Sequence, residues 1–473
     1  MVSMKFIFIL FTSILYPCLG TYNDQEEYSY AFDFERESTC ESNRIYCNDS
    51  IPVSVSVSND QRIHVNSNQN GGCITLTDVW KALESEHLIP IDPVTKRHSL
   101  IYTGTWYLNE DLYIEDGVTL NLFGTSRGGD CDELLMKSNS TGFVNLRGNG
   151  GSLNLLDTKV TSWDETTRGP DRNISDGRSY ISCVSEKITD ENLVCGGMAT
   201  ETIGECSMNI SCSEISYLGY KEKGSWGISY TVNGLCSDNS NEEVFKEVGV
   251  YGNIVDTDIH DNYGCYSLGH REGNWSNNVV HDNTYGFFVN NGYKVSIEDN
   301  KVYDNSQTAV TLVESSGGFV LGNDLKDNGI GLNSKYSKYD QIKRNSISGS
   351  VSYDVFMYSG IGNKIVKNRV YIDKNNGMSF QDRKNISNFK RKMKNKFKNK
   401  LFKNKLEKRF ESKGVRFEYT KDLEFSNNYF KNGIGYISAT QSKNTLFKVN
   451  DQFLYGEKNS CADKESDVKV NYC

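Results

Sequence analysis

The amino-acid sequence predicts an all-β fold, a right-handed parallel β-helix, which is a solenoid with coils of about 22 residues. Short alternating β segments recur at this period, and an asparagine stands two residues before an apolar residue in each of them. The composition agrees, because 28 tyrosines and 22 phenylalanines favour strands over helices. With 37% hydrophobic residues and only 5 prolines among 473 residues, the chain is expected to fold rather than to stay disordered.

The repeated frame is an asparagine, any residue and an apolar residue. It recurs in five successive coils, at Asn278-Val279-Val280, Asn300-Lys301-Val302, Asn323-Asp324-Leu325, Asn345-Ser346-Ile347 and Asn368-Arg369-Val370. Successive asparagines are 22, 23, 22 and 23 residues apart, with Thr257 in the asparagine place one coil earlier and Asn428 after an insertion. In a parallel β-helix the apolar side chains stack inside and the asparagines form an amide ladder at one turn. A leucine-rich repeat has a similar period, but its leucine frame is missing here, and a propeller has longer blades.

The first half of the chain extends the same solenoid. Residues 105–125 alternate like short strands, 142–164 do so twice more, and 212–232 supply another coil. We therefore expect one solenoid over residues 100–455, interrupted by an insertion at 384–414.

The two ends of the chain differ from the repeat. Residues 21–99 are expected to form an N-terminal extension or cap, and 456–473 a cysteine-containing tail. Within the cap, 74–86 is the best helix candidate, with Thr77 or Asp78 as its N-cap.

Residues 1–20 have the pattern of a secretory signal peptide. Lys5 precedes the apolar run Phe6–Tyr16, and the small residues Cys18 and Gly20 follow it. The apolar run is too short to span a membrane. The sequence therefore predicts a secreted, extracellular protein.

The cysteines and glycosylation sequons fit secretion. One of the 13 cysteines lies in the signal peptide, which leaves an even 12, as expected for disulfides. Pairs close in sequence are candidate bridges: Cys40/Cys47, Cys206/Cys212 and Cys461/Cys473. Glycans are expected on surface loops at the sequons Asn48, Asn139, Asn173, Asn209, Asn274 and Asn385. No zinc-type CxxC spacing and no acidic calcium loop occurs, so we expect no metal and no cofactor.

Histidine, tyrosine and arginine gather in one part of the repeat. His260 and His281 are 21 residues apart, one coil, and should stack on one face. Tyr266, His270 and Arg271 crowd a short span half a coil away. Such residues suit uronate chemistry, because a cationic or amide group neutralises the carboxylate while His and Tyr remove and return the C5 proton.

Residues 142–290 resemble the secreted alginate (mannuronan) C5-epimerases of the β-helix type, and a weaker resemblance covers 105–450. The family's pattern is followed closely by Tyr266 and Ser267. After nine intervening residues the match continues with 277–283, which read NNVVHDN. The resemblance implies the β-helix fold and a site for a uronate polysaccharide.

The chain departs from the family at the catalytic positions. Where the family has Asp-Pro-His-Asp, with its His as base, this chain has Phe288-Val289-Asn290-Asn291, and Asn290 cannot act as a base. Glu314 stands where the family has a carboxylate-neutralising arginine. The resemblance also makes His281 a scaffold position, whereas His270 and Arg271 are peculiar to this chain. The candidate catalytic residues are Tyr266, His270, Arg271 and His281, and the candidate substrate-binding residues are Trp275, Tyr285, Asn290, Asn291 and Glu314.

The expected function is to act on, or bind, an extracellular uronate-containing polysaccharide. Three alternatives stay open: a catalytically inactive glycan-binding or structural glycoprotein on the same scaffold, a polysaccharide lyase, which shares the first proton removal, and a paired-carboxylate glycosidase. The glycosidase would use Asp282, Asp299 or Asp304.

A basic segment interrupts the acidic chain. Lys390–Arg409 holds 11 basic residues and one acidic residue, whereas the rest of the chain has 41 basic and 60 acidic residues, a net charge of −19. Apolar residues spaced four apart predict an amphipathic helix over Phe389–Phe410. It could contact a polyanionic glycan, an anionic membrane surface or an acidic partner, or it could be a lysine-rich insertion without a role. We expect no nucleic-acid partner and a monomeric protein.

Overall fold

The structure is a computed structural model that describes most of the chain in segments. They are residues 46–83, 86–99, 103–186, 203–222, 224–233, 248–371, 414–431, 437–440, 442–443, 445–449, 453–454, 460–462 and 468–472. All of them belong to one compact unit, Cys40–Cys473. The predicted signal peptide, the basic segment Lys390–Arg409 and the sequon at Asn385 lie outside the described residues.

Three long sheets run along the solenoid and confirm the predicted right-handed parallel β-helix. Sheet 1 has 14 described strands, Val53–Val57, Ile63–Ser67, Leu112–Glu115, Asn145–Asn149, Tyr180–Ser185, Gly227–Val232, Gly264–Leu268, Phe287–Asn290, Thr308–Val313, Ile330–Lys335, Tyr353–Tyr358, Val415–Glu418, Ile437–Thr440 and Ser460–Ala462. Sheet 2 has 13, Gly72–Ile74, Val118–Phe123, Ser152–Leu156, Met208–Ser211, Ile254–Val255, Asn274–Ser276, Ser296–Glu298, Phe319–Leu321, Gln341–Lys343, Lys364–Val366, Glu424–Ser426, Thr445–Val449 and Val468–Tyr472. Sheet 3 has 14, Leu88–Pro90, Thr105–Leu108, Glu133–Asn139, Gly142–Phe143, Lys159–Trp163, Glu214–Ser216, Asp258–His260, Val279–His281, Lys301–Tyr303, Asp324–Lys326, Ser346–Ser348, Arg369–Tyr371, Tyr429–Lys431 and Phe453–Leu454.

The parallel pairing reaches further at both ends than the expected 100–455. Ile63–Ser67 already pairs in parallel with the strand at Leu112–Glu115, so the first coil lies within the region expected to be a cap. At the other end, Val468–Tyr472 pairs in parallel with Thr445–Val449. None of the helices in the described part of the chain is long and apolar enough to cross a membrane.

The core is a stack of apolar side chains, one from each strand of each coil. On sheet 3, Val280, Val302, Leu325, Ile347 and Val370 are in register in successive coils, and each is at most 2% exposed. Side chains alternate across a strand, so a fixed coil length keeps the same position inside in every coil. The apolar positions of the predicted frame are therefore confirmed as core positions.

The predicted asparagine ladder is present at the corner before sheet 3. The Asn278 N–H donates to Asn300 Oδ1 (2.8 Å), and the Asn300 N–H donates to Asn323 Oδ1 (3.0 Å). Each side-chain Nδ2 donates to the next asparagine and to a main-chain carbonyl of the preceding coil, as Asn278 does to Ile254 O (2.8 Å). Thr257 begins this ladder by donating its N–H to Asn278 Oδ1 (3.0 Å). Every buried polar group at the corner is thereby satisfied by an identical neighbour.

A second ladder, not predicted from the sequence, lies at the corner after sheet 3. The N–H of Asn262 donates to Asn283 Oδ1 (2.8 Å), Asn283 donates to Asn305 (3.1 Å), and Asn305 donates to Asn328 (3.1 Å). All four side chains are at most 2% exposed. Sheet 3 is therefore anchored by buried amides at both ends.

The predicted helix in 74–86 is present and spans Leu76–Leu83. Its N-cap is Thr75 rather than Thr77 or Asp78. The Asp78 carboxylate accepts hydrogen bonds from the Thr75 N–H (3.1 Å) and hydroxyl (2.8 Å), which is the arrangement of a capping box. Asp78 stands at the third helical position of that box, so the predicted N-cap was two or three residues late.

The described disulfides join cysteines that are distant in sequence rather than the close pairs that were expected. Cys47 pairs with Cys73 and Cys183 with Cys206, at separations of 26 and 23 residues. Two of the expected pairs, Cys40/Cys47 and Cys206/Cys212, are therefore wrong, and Cys212 has a disulfide of its own. Six or seven residues of extended chain separate two Cα atoms by about 20 Å, whereas a disulfide needs about 6 Å. The side chains of the third expected pair, Cys461/Cys473, lie outside the described residues.

The expectation that all sequons lie on surface loops fails at Asn209. This residue lies in the strand Met208–Ser211 and is 8% exposed. Its Oδ1 accepts the N–H of Asn253 (2.9 Å), which is the ladder geometry of a stacked coil. A glycan on Asn209 Nδ2 would need space that this largely buried side chain does not have.

Asn323→Ala tests the first ladder. It removes the acceptor of the Asn300 N–H and the donor to Ile297 O, so buried polar groups lose their partners. We expect the free energy of unfolding to fall by about 2–5 kcal/mol, since each such group costs about 1–3 kcal/mol. Urea denaturation followed by circular dichroism measures it. Asn66→Ala, at an exposed strand position, is the matched control and should change stability by less than about 0.5 kcal/mol. Equal effects of the two substitutions would contradict a structural role for the ladder.

Asp340 is a carboxylate inside the stack and gives a pH-dependent test. It is 0% exposed, and burial raises its pKa to about 6 although the Ser315 hydroxyl (2.6 Å) and the Gly318 N–H (2.8 Å) donate to it. Because the folded-state pKa lies above the ordinary 3.8, folding favours the protonated form, and stability falls as pH rises from about 4 to about 6.

Asp340→Asn should remove this pH dependence. We expect the variant to be about 1–3 kcal/mol more stable than the parent at pH 7 and close to it at pH 4. Urea midpoints between pH 4 and pH 7 measure the difference, with Asp49→Asn on the surface as control. A constant difference across this range would show that the carboxylate does not titrate there.

Candidate functional site

Five aromatic side chains meet at the outer face of sheet 1. Trp226, Tyr263, Tyr266, Tyr285 and Phe288 are named the aromatic cluster below. The Trp226 ring is central, with its centroid 4.7 Å from Tyr285 in a stacked arrangement and 5.0 Å from Tyr266. Phe288 and Tyr263 each lie 5.1 Å from it. Tyr263 and Tyr266 are 7% exposed, and the other three side chains are half-buried.

The coil period places these rings together. Tyr266 and Phe288 occupy the same register position in adjacent strands of sheet 1. Their neighbours Cys265 and Phe287 point into the core, so alternation along the strand turns the two rings outward. The signal in the sequence is the 22-residue step from Tyr263 to Tyr285 and from Tyr266 to Phe288. Tyr266 and Tyr285 were predicted from the sequence as site residues, whereas Trp226, Tyr263 and Phe288 were not.

Asn290, at the place of the epimerase base, lies beside Tyr266. Burial raises the pKa of the Tyr266 phenol, and a hydrogen bond from Asn290 offsets this only in part. Tyr266 is therefore a protonated phenol at neutral pH, able to donate a proton but not to abstract one. The Asn290 Oδ1 is buried and has no hydrogen-bond partner within the described part of the chain.

Asn291 and Glu314 form the rim of the cluster at the next corner. Asn291 Nδ2 donates to Glu314 Oε2 (3.0 Å), and Glu314 is exposed. Of the predicted substrate-binding residues, Tyr285 belongs to the cluster and Asn290 contacts it through Tyr266, while Asn291 and Glu314 contact each other at the corner that follows Asn290.

His270 and Trp275 lie inside the solenoid, so the sequence-based assignment of both to the site is wrong. Both are 0% exposed. The His270 ring stacks on Tyr230 (4.6 Å), its Nε2 lies 3.0 Å from Gly252 O, and burial lowers its pKa to about 4. The chain turns at Gly269 (φ 78°), which resets the alternation and sends the next side chain inward. A polymer on the surface cannot reach this imidazole.

Arg271 lies at the corner between sheets 1 and 2, one residue after the buried imidazole. Its N–H donates to Val250 O (3.0 Å), and its side chain is half-buried. The crowded sequence span Tyr266–Arg271 is therefore split over the outer face, the interior and a corner.

His281 belongs to a column of rings on sheet 3, away from sheet 1. It stacks on His260 (5.1 Å) and Tyr303 (4.9 Å), as the one-coil spacing predicted. Its nitrogens lie 3.2 Å from Asp258 and 2.9 Å from Asp282. Hydrogen bonds to these two carboxylates raise the pKa of His281 to about 9. Burial alone would lower the pKa of His260, but the carboxylates of Asp261 and Asp258 outweigh it and the pKa is raised.

The arrangement provides stacking surfaces and amide groups rather than a general base. His281 is cationic at neutral pH and engaged by carboxylates on another face, while His270 is neutral but buried. Tyr266 is protonated. None of these three predicted catalytic groups can accept a proton from a sugar at the aromatic cluster. In the described segments, no group of three or more His, Cys, Asp or Glu side chains has the arrangement of a metal site.

Comparisons with known proteins agree with the fold. Residues 226–400, fewer than half of the chain, match the family described as periplasmic copper-binding protein (NosD). No curated protein matches the sequence. The structure is similar to that of the periplasmic alginate epimerase AlgG, with a TM-score of 0.58 and 12% identity over 97% of this chain and 100% of that one. A single-substitution variant of AlgG gives a TM-score of 0.59 and 12% identity over 97% and 99%. The resemblance to alginate epimerases is thereby confirmed at the level of the fold.

Histidine titration tests the environments that the structure gives to His281 and His270. His281 should stay protonated through pH 8 and titrate near 9, whereas His270 should show no titration above about pH 5. Because the folded-state pKa of His281 is raised above 6.5, its contribution to stability is present below pH 6.5 and lost as pH rises through about 9. NMR of the histidine ring signals between pH 4 and pH 10 measures both.

Asp258→Asn is the discriminating variant for His281. It should lower the pKa of His281, because Asp258 contacts this ring, and it should leave the His270 signal unchanged. An ordinary pKa near 6.5 for His281 in the parent protein would contradict the structure.

Proposed function

We propose that the protein binds an extracellular polysaccharide along the outer face of sheet 1, through the aromatic cluster, without epimerising it. The observation that supports the proposal is the contact of Trp226 with four further rings, stacked on Tyr285 and edge-on or tilted against the others, at one partly exposed position of the solenoid. Long parallel sheets offer an extended surface, which suits a polymer better than a small molecule. The low-level likeness of the fold to an alginate epimerase is consistent with this class of ligand.

Sugar rings and aromatic rings are complementary. A pyranose presents an apolar face of C–H groups, and a half-buried tryptophan or tyrosine offers a flat apolar surface with little conformational entropy to lose. The Asn290 and Asn291 amides at the edge of the cluster can hydrogen-bond hydroxyl or carboxylate oxygens.

Catalysis is disfavoured by the protonation states at the site. Proton removal from C5 needs a base near neutral pKa within hydrogen-bond reach of the carbon. Asn290 cannot supply it, and Tyr266 holds its proton because burial raises its pKa. These features favour the glycan-binding alternative over an epimerase or lyase.

The identity of the polymer rests on the sequence resemblance and on charge. The epimerase-like frame points to a uronate polymer, and the basic segment Lys390–Arg409 is the part of the chain best suited to a polyanion. Secretion, followed by contact with wall or matrix polysaccharide, fits the signal peptide pattern and the two described disulfides.

Trp226→Ala tests the binding surface. Its ring contacts the other four, so we expect affinity for polymannuronate, measured by affinity electrophoresis and calorimetry, to fall at least tenfold. Tyr339→Ala is the matched control, because Tyr339 is 63% exposed and lies outside the cluster. Circular dichroism checks that both variants fold. Equal retention of the parent and the Trp226 variant would refute the aromatic cluster as the binding surface.

The same samples test the absence of catalysis. Incubated with polymannuronate in deuterated water, the protein should give neither deuterium at C5 nor unsaturated chain ends. Deuterium at C5 would show a working base and overturn the non-catalytic part of the proposal. Unsaturated chain ends that absorb ultraviolet light, without deuterium at C5, would instead indicate lyase activity.

A further inference from the structure

A separate cavity lies beside the first coils, between the helix Leu76–Leu83 and the outer side of sheet 3. Its volume is about 380 Å³, and its lining includes none of the residues assigned to the aromatic cluster. It is formed by three segments far apart in sequence, around Trp80, around His98 and at Glu165. Pockets that hold small ligands have volumes of about 300–1,000 Å³.

Aromatic rings form two walls of this cavity. Trp80 comes from the helix and packs edge-on against the fully buried Trp106, with ring centroids 6.1 Å apart. Tyr107 comes from the strand Thr105–Leu108. Its ring stacks with that of His98, with the ring centroids 6.2 Å apart. Tyr107 is 2% exposed, so its ring position is fixed by packing.

Polar groups converge on Glu165 at the same place. The His98 Nε2 lies 3.1 Å from Glu165 Oε1. Burial, followed by the charge of Glu165 and a hydrogen bond to it, raises the pKa of Tyr107, so the phenol stays protonated and donates to this carboxylate. Asn109, also in the lining, donates its Nδ2 to Glu86 O (3.3 Å) and keeps its Oδ1 as an acceptor. Two neighbours thus hold Glu165, and its oxygens can accept further hydrogen bonds from a ligand.

We propose that this cavity binds one neutral pyranose unit, with the sugar ring against Trp80 and its hydroxyls donating to Glu165. An aromatic wall with a fixed carboxylate beside it suits the apolar face and the hydroxyl edge of a neutral sugar. Among the described residues the lining includes Glu86 and Glu165 but no Lys or Arg, so a uronate would meet negative charge without a basic side chain to neutralise it. The inference does not depend on polymer binding at the aromatic cluster.

The test uses monosaccharides on the full chain. The probes are methyl glucopyranoside, methyl mannopyranoside and methyl galactopyranoside, with glucuronate as the anionic and glucosamine as the cationic counterpart. Binding is measured by saturation-transfer NMR and calorimetry. At least one neutral pyranoside should bind, and glucuronate should bind at least tenfold more weakly. Preference for glucosamine alone, equal binding of glucuronate, or no binding of any neutral probe would each overturn the proposal.

Variants assign the binding to this cavity. Glu165→Gln keeps the shape and removes the charge, and it should weaken the neutral pyranoside at least tenfold because a neutral amide is a poorer acceptor. Trp80→Phe should weaken it less than Trp80→Leu if the ring is a stacking wall. Glu222→Gln, at an exposed position elsewhere, is the control for surface charge. Unchanged affinity in Glu165→Gln, with a folded protein by circular dichroism, would place the sugar elsewhere. Neutral monosaccharides report on this cavity and polymannuronate on the aromatic cluster, so either proposal can fail alone.

Discussion

The buried amide ladder is the interaction on which the solenoid depends. At each corner before sheet 3 the chain turns with a main-chain N–H facing inward, and that group must find an acceptor away from water. The side-chain oxygen of an asparagine in the next coil is this acceptor. The main-chain N–H of that asparagine donates in turn to the asparagine of the following coil, as the Asn345 N–H does to Asn368 Oδ1 at 3.0 Å. The ladder therefore fixes the relative positions of the coils from Thr257 to Asn428, and the apolar stack inside them follows from that register.

The ladder also explains how the fold accommodates a long insertion. Asn368 and Asn428 are 60 residues apart, yet the Asn368 N–H donates to Asn428 Oδ1 at 2.9 Å, as if the two coils were consecutive. The coil closes at the same amide position whatever is inserted, because the hydrogen bonds at the corner do not depend on the connecting segment. A long insertion thus costs little more than the entropy of closing a larger loop. The basic segment can be carried without disturbing the stack.

The repeat determines what the sequence can and cannot reveal. The period correctly predicted that His260 and His281 stack, because residues one coil apart occupy the same position on the same sheet. It could not place His270, because Gly269 breaks the alternation and the following ring enters the core. Local crowding in the sequence was therefore a poor guide to the site, whereas spacing by one coil was a good one. The residues that line the cavity at Trp80 and Glu165 are not spaced by the coil period, so the repeat could not predict this cavity.

A scaffold of this kind separates the fold from the function. Inward positions are constrained by the core and the ladders, so the epimerase-like frame survives in Ser267 and Asn283, which are at most 2% exposed. Outward positions are free to change, and here Phe288 and Asn290 stand where an acidic residue and a base occur in the resembled family. An apolar ring in that place offers a surface for stacking and no group that can transfer a proton. The missing base and the added ring therefore both support the proposed role, which is to bind a sugar polymer rather than to convert it.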